Sequence, residues 1–319
     1  MSAIVSLLGG NRDKCICQSI SLVSAISVTG EDASSFLQGQ LSQDIESMNP
    51  GQIRKSLLLR PDGKLGYLIY VYRKDDGFRI FNPFSFEQNI LERLKQYCIR
   101  VKVEFDISEL EISILARTRR ELVSCNQESG SPLGRIALGG GNQEDGLTST
   151  IGATLIVEEI DPLAANGRLE IEDLELLRII VGEPKNGVDL RPGMFPHELG
   201  SLDEVVSFRK GCYTGQELVE RVSSRHSSAP RRLTWLTGIL SDAPHDSDLG
   251  ANGMGLIEGS HMEVHSGDDV IGEVTSLAYV AGRVFCLALV NRGRKIADTI
   301  KILGDTGVLE VNREPRASV

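Results

Sequence analysis

From Ile20 to Val28 the chain alternates, with Ile20, Leu22, Ser24, Ile26 and Val28 on one side, the period of a half-buried strand. Thr29-Gly30-Glu31-Asp32 then opens a short helix that buries Phe36 and Leu37 and ends near Gly39. Two apolar runs, Ile53 to Leu59 and Leu65 to Tyr72, flank Pro61-Asp62-Gly63-Lys64, so this stretch predicts a hairpin. Asp75-Asp76-Gly77 turns the chain into Phe78 to Phe81, which makes at least three antiparallel strands. Ser85 and Gln88 fit a capping box for a helix reaching about Tyr97, with Phe86, Ile90, Leu91, Leu94 and Cys98 on its apolar face. Strands are expected at 99–105 and 111–116, and the Gly-, Ser- and Asn-rich stretch 126–149 reads as loop.

Helical spacing returns at 172–181, where Leu174, Leu177, Ile180 and Val181 face inward and Gly182-Glu183-Pro184 stops the helix. Ser201 and Glu204 form a second capping-box pair. Leu218, Val219 and Val222 recur at helical spacing from Gly215 onward. After Arg232 the character changes. Leu233 to Leu240, Val270 to Ser276 and Val284 to Val290 are strand-like and separated by Gly, Asp, Asn and Pro clusters, which predicts an all-β module.

At 319 residues the chain has room for two or three domains, and 41% hydrophobic with 24% charged residues is an ordinary globular composition. No apolar run approaches the roughly 20 residues that span a bilayer. Met1 to Leu8 lacks a basic leader, so a cytoplasmic location is expected. Six scattered cysteines fit reduced thiols better than a disulfide framework. The formal net charge of −10 argues against broad nucleic-acid binding, which draws on phosphate neutralisation. Locally the balance reverses: Arg209, Lys210, Arg221, Arg225, Arg231 and Arg232 outnumber Glu217 and Glu220, as a solvated helix face or an anion site would.

Lys210-Gly211-Cys212-Tyr213-Thr214-Gly215-Gln216-Glu217 sets a thiol beside a cation and just ahead of a helix start. Unpaired N–H groups and a neighbouring cation favour thiolate, which makes a reactive cysteine one reading. A buried core cysteine in a glycine-punctuated turn is the other. Cys15-Ile16-Cys17 has no second ligand pair at a useful spacing, and His261 and His265 lie in a strand-forming stretch where i and i+4 do not share a helix face. No metal site is expected. Gly-x-Ser-x-Gly, Walker and dinucleotide patterns are absent.

The octapeptide resembles the signature of the YgfZ family of folate-binding proteins, relatives of the aminomethyltransferase, or T-protein, of the glycine cleavage system. Supporting blocks follow in the family's order: Thr29 to Ala33, Phe36-Leu37-Gln38-Gly39-Gln40, Asp62-Gly63-Lys64, Arg178 with Gly182, Ser207-Phe208, and Ile271 to Ser276. The resemblance implies an α+β fold: a two-part aminomethyltransferase-like folate-binding body over 1–229, with halves of roughly 15–115 and 116–229, and a C-terminal β-barrel over 230–319. It implies tetrahydrofolate or a one-carbon derivative in a central opening. Cys212 would be the functional thiol with Lys210 as its basic neighbour. Arg178, Gln216, Glu217, Arg221 and Arg225 would contact the folate, together with Gln38 and Gln40. Arg binds carboxylates bidentately, and Gln or Glu can read a pterin edge. For Arg178 a helix arginine snorkelling to solvent is the plain alternative, and for Gln216 and Glu217 first-turn capping.

By the same resemblance the chain supports iron–sulfur cluster assembly or repair, and its partners are iron–sulfur proteins including tRNA-modifying enzymes. The alternative is a folate-dependent aminomethyltransferase or other one-carbon transferase. T-proteins carry an acidic residue on the strand after the Gly-Lys turn, where this chain reads Leu65-Gly66-Tyr67-Leu68. No carboxylate stands there to accept a proton, which disfavours transfer.

Overall fold

The computed structural model describes residues 16–85, 88–118, 135–138, 151–157, 167–200, 202–224, 229–241, 254–280, 282–304 and 307–313. Strand β1 (Ile16–Thr29) leads into helix α1 (Ala33–Gln40), and β2 (Ile53–Leu59), β3 (Leu65–Lys74) and β4 (Gly77–Phe81) form the expected meander. Helix α2 (Asn89–Lys95) and strands β5 (Glu104–Thr118), β6 (Arg135–Leu138), β7 (Ile151–Val157) and β8 (Gly167–Arg168) follow. These strands make one sheet in the order β2-β3-β4-β1-β5-β7-β6, with β8 added parallel to β1.

Both faces of this sheet are covered, which is why β2 and β3 read as near-continuous apolar runs. Leu57, Leu59, Leu68 and Tyr70 point to one core, and Leu58, Ile69 and Val71 to another. The second core is closed by α1 through Phe36 and Leu37 and by α2 through Ile90 and Leu94. Burying a side chain of this kind stabilises by about 1.5–3 kcal/mol.

The first core is shared. Helix α3 (Ile171–Val181) presents Leu176, Leu177, Ile179 and Ile180 to it and ends at Gly182, left-handed at φ 76° as a helix-terminating glycine allows. A 3-10 turn (Pro196–Leu199), helix α4 (Leu202–Val205) and helix α5 (Gln216–Ser224) lead to β9 (Arg231–Leu240), β10 (Met254–Ser266), β11 (Asp269–Val280), β12 (Arg283–Asn291), β13 (Thr299–Gly304) and β14 (Gly307–Arg313). These six close into a barrel in the order β10-β11-β12-β9-β14-β13. Strand β12 shows how the barrel docks: Val284, Cys286, Ala288 and Val290 fill its interior, while Phe285, Leu287 and Leu289 join the core of the large sheet.

Three expectations need correction. No strand forms over 99–103; Arg100 adopts φ 58°, and β5 starts at Glu104 and runs through 111–116 unbroken. The Ser85–Gln88 box is not made: α2 begins at Asn89 without a side-chain cap, and Ser85 Oγ is buried without a hydrogen bond. Within 126–149 the described residues 135–138 are strand, because β7 offers them a free edge. Phe86, Ser201 and the rest of 126–149 lie outside the described residues.

Candidate functional site

Three blocks far apart in sequence meet around the octapeptide. Gly215, at φ 82°, leaves no room for a side chain: a Cβ there would lie 2.7 Å from the Arg60 carbonyl and 3.0 Å from Gly63 Cα. Gly63, at φ 77°, would meet Leu218 in the same way. The β2–β3 turn and the start of α5 are therefore held glycine to glycine, a contact that only residues without a Cβ permit. On the other side the C-terminal end of α1 receives the motif. Thr214 N donates to Gly39 O at 3.0 Å, and Tyr213 N donates to Gln216 Oε1 at 3.1 Å.

Lys210 fastens this junction. Its Nζ donates to the carbonyls of Gln38 at 2.6 Å, Leu41 at 2.6 Å and Gln43 at 2.9 Å, which uses all three ammonium protons. Burial lowers its pKa to about 8, with the carboxylates of Asp44 and Glu46 pulling the other way. Its ring-face contact with Tyr213, 5.0 Å to the centroid, adds a cation–π term. The cation beside the thiol in sequence thus spends its donors on backbone.

Cys212 is exposed on the loop so held. Glu217 and Arg221 are also exposed, and of the apolar trio on α5 only Val219 is fully buried. Gln216 Nε2 donates to Glu220 Oε1 along the helix. Gln38 is turned inward: its Oε1 accepts from Ile45 N at 2.7 Å and its Nε2 donates to Asp44 at 3.0 Å. Gln40 accepts from Thr214 Oγ1 at 3.4 Å. Arg225 lies outside the described residues.

Arg178 neither snorkels nor opens toward this loop. Its side chain is 0% exposed, and the guanidinium donates to Asp189 Oδ2 at 2.6 Å, Glu175 Oε1 at 2.6 Å, Glu183 O at 3.1 Å and Ser276 Oγ at 3.1 Å. Asp189 also accepts from Thr275 and Ser276 of β11, so the group locks α3 to the barrel.

A second polar cluster escaped the sequence reading. Lys55 Nζ pairs with Glu183 Oε2 at 2.7 Å, and Tyr70 OH donates to Glu183 Oε1 at 2.5 Å. Burial pushes the Tyr70 phenol well above its usual range, with the Glu183 charge adding to it. The pair borders a small cavity of about 20 Å³ between body and barrel, walled by Leu199, Glu204, Leu233 and Trp235, which is room for one water. Partial desolvation raises the Glu204 carboxyl, with Lys55 opposing, although the residue as a whole is exposed, and its side chain has no hydrogen bond among the described residues. The signal was Lys55 itself, a cation inside the two-sided apolar run Ile53 to Leu59, where only a partner of opposite charge makes burial tolerable.

An α+β body carrying a closed C-terminal barrel is the architecture of the aminomethyltransferases. The structure superposes on the crystal structure of glycine cleavage system aminomethyltransferase T from Bartonella henselae with TM-score 0.64, covering 94% of this chain and 86% of that one at 14% identity. The family read from the octapeptide is also the one the sequence comparisons return. The chain is 25% identical over 315 residues to the tRNA-modifying protein YgfZ of Klebsiella pneumoniae, covering 90% of this chain and 89% of that protein. It is 25% identical over 308 residues to the protein of the same name from Escherichia coli, with the same shares covered. No family model matches the chain.

Proposed function

We propose that this chain is a folate-binding accessory protein of the YgfZ type, supporting iron–sulfur-dependent tRNA modification through the Cys212 thiol. One observation carries the reading. Lys210, Thr214, Gly215 and Gln216 are all committed to holding the loop, whereas Cys212 is held out to solvent. A structure that immobilises a loop around an exposed thiol presents that thiol to a partner. In this role Cys212 acts as nucleophile, redox thiol or transient cluster contact.

The central cluster supports the folate part of the reading through its chemistry. Glu183 and Glu204 supply acceptors for the donor edge of a pterin, Lys55 supplies a donor, and Trp235 supplies an aromatic wall. At about 20 Å³ the cavity requires its walls to part before a bicyclic ring enters. Bound folate would supply a one-carbon carrier. Arg178 has no place in this version of the site, since protein carboxylates already occupy it. Aminomethyl transfer stays disfavoured, because Leu65 and Leu68 are buried apolar residues where a carboxylate is needed.

Trp235 is the sole tryptophan, so its emission reports on the cavity. Titration with tetrahydrofolate is expected to change that emission saturably, and Glu204→Gln to weaken the response about tenfold. No heat and no fluorescence change would overturn folate binding. Cys212→Ala is expected to bind tetrahydrofolate normally yet fail to restore an iron–sulfur tRNA-modifying enzyme in cells lacking the protein. Full restoration would remove the thiol from the function.

A further inference from the structure

The basic residues that cluster in sequence are redistributed by the fold. Lys210 turns to the carbonyls of the α1 loop, whereas Arg231 and Arg232 go to the first residues of β9. That strand pairs with β12 so that Arg231 lies opposite Asn291 and Arg232 opposite Val290. The turn beyond β12, tied back by Arg292 N to Pro230 O at 2.9 Å, then brings Arg292 and Arg294 to the same edge. All four arginines line one cleft of about 490 Å³ together with His197 and Ser223, and among the described residues its lining holds no Asp or Glu. Two carboxylates from outside that lining reach these arginines. Glu198 is buried behind Arg231 at 3.8 Å, and Asp269 meets Arg294 at 3.3 Å where both are solvated. On a chain of net charge −10 this is a local reversal of field.

We infer that the cleft formed by Arg231, Arg232, Arg292 and Arg294 is a binding site for phosphate groups, separate from the Cys212 loop and the central cavity. Guanidinium groups bind phosphate through paired N–H donors, and the described lining residues carry no carboxylate to compete for them within the cleft. The volume suits a nucleotide-sized anion. Among the described residues the lining holds no Phe, Tyr or Trp, so stacking surface is limited to the His197 ring and recognition falls chiefly on phosphate. A single-stranded RNA backbone and a soluble phosphorylated compound both offer this chemistry.

The full chain is titrated with fluorescent decauridylate over a salt series, and with inorganic pyrophosphate by calorimetry. Pentaglutamate serves as a carboxylate polyanion of similar charge. Binding of decauridylate is expected to weaken about tenfold in Arg292→Ala/Arg294→Ala. The slope of log affinity against log salt should flatten by about 1.4, that is, two phosphate contacts on a single strand. Pyrophosphate binding without decauridylate binding identifies a soluble phosphate compound as the ligand; both binding and competing identifies the strand. The inference is overturned if neither probe binds, if pentaglutamate binds as tightly, or if the double variant binds unchanged. Should that variant fail to fold, amide exchange in the unaltered chain decides: pyrophosphate must protect 229–232 and 290–296, and no protection refutes the site. Tetrahydrofolate titration of the same variant is expected to match the parent chain, which keeps failure here distinct from failure of the folate reading.

Discussion

Arg178 and Asp189 face each other at 2.6 Å with neither side chain exposed to solvent, one on the last turn of α3 and the other beyond the helix stop at Gly182. Removing one partner leaves the other charge buried. Arg178→Ala or Asp189→Ala is expected to cost about 3–5 kcal/mol, read from urea unfolding. Because Asp189 also holds Thr275 and Ser276, the loss should appear first as faster amide exchange across β11. A cost near zero would mean that the pair is not what docks the barrel.

Lys210 supplies a charged donor to three carbonyls within the 38–43 loop. Lys210→Met is expected to destabilise by about 1–3 kcal/mol, since three part-buried carbonyls lose their donor together. Lys210→Arg should recover only part of this, because a planar fork cannot converge on three carbonyls as an ammonium does. Amide exchange at Ile45 and Glu46, whose N–H groups donate to Gln38 Oε1, checks that the damage is local.

Thiol labelling separates Cys212 from Cys286 by position alone. Cys212 is exposed, while Cys286 lies in the barrel interior, where burial pushes its thiol up to about 12. Alkylation mapped by peptide mass is expected to modify Cys212 in the folded protein and Cys286 at least about a thousandfold more slowly, through opening reactions. Comparable rates would contradict the barrel packing.

Glu198 gives a pH dependence of defined sign. Its carboxyl is 2% exposed, its Oε2 lacks a hydrogen bond, and burial raises its pKa above the ordinary 4.5, with Arg231 opposing. Below pH 4.5 both folded and unfolded chains hold the proton, so the group costs nothing. As pH climbs through the raised folded value, the unfolded chain has already released its proton, and stability falls. Glu198→Gln stays neutral throughout. The variant should therefore gain stability over the parent chain as pH rises from 4 toward 7, and a constant difference across that range of denaturation midpoints would refute the assignment.

Strand period and turn chemistry made much of the large sheet legible, including the β2–β3 hairpin and the α3 stop at Gly182. The misses have physical causes. The 99–103 stretch has strand-forming residues, yet Arg100 turns the chain with a positive φ. Residues 135–138 carry no strong pattern and become strand because β7 has an edge to pair. Strands β10, β13 and β14 owe their formation to barrel closure, a tertiary demand that local pattern does not express.

The motifs by themselves determined the family resemblance and Cys212 as the thiol to watch, because those rest on residue identity in a short contiguous run, and the α+β class with its barrel followed as what that resemblance implies. Where each charge points was left to the tertiary structure. Lys210 and Cys212 are two residues apart, yet one faces the carbonyls of α1 and the other solvent. Arg178 read as either a folate contact or a helix arginine reaching solvent, and the fold buries it against Asp189 and Glu175. Lys55, Glu183 and Trp235 share no local spacing and meet only where barrel and body close on one core. Charge pairing and desolvation depend on neighbours in space, and those neighbours come from strands and helices far apart in the chain.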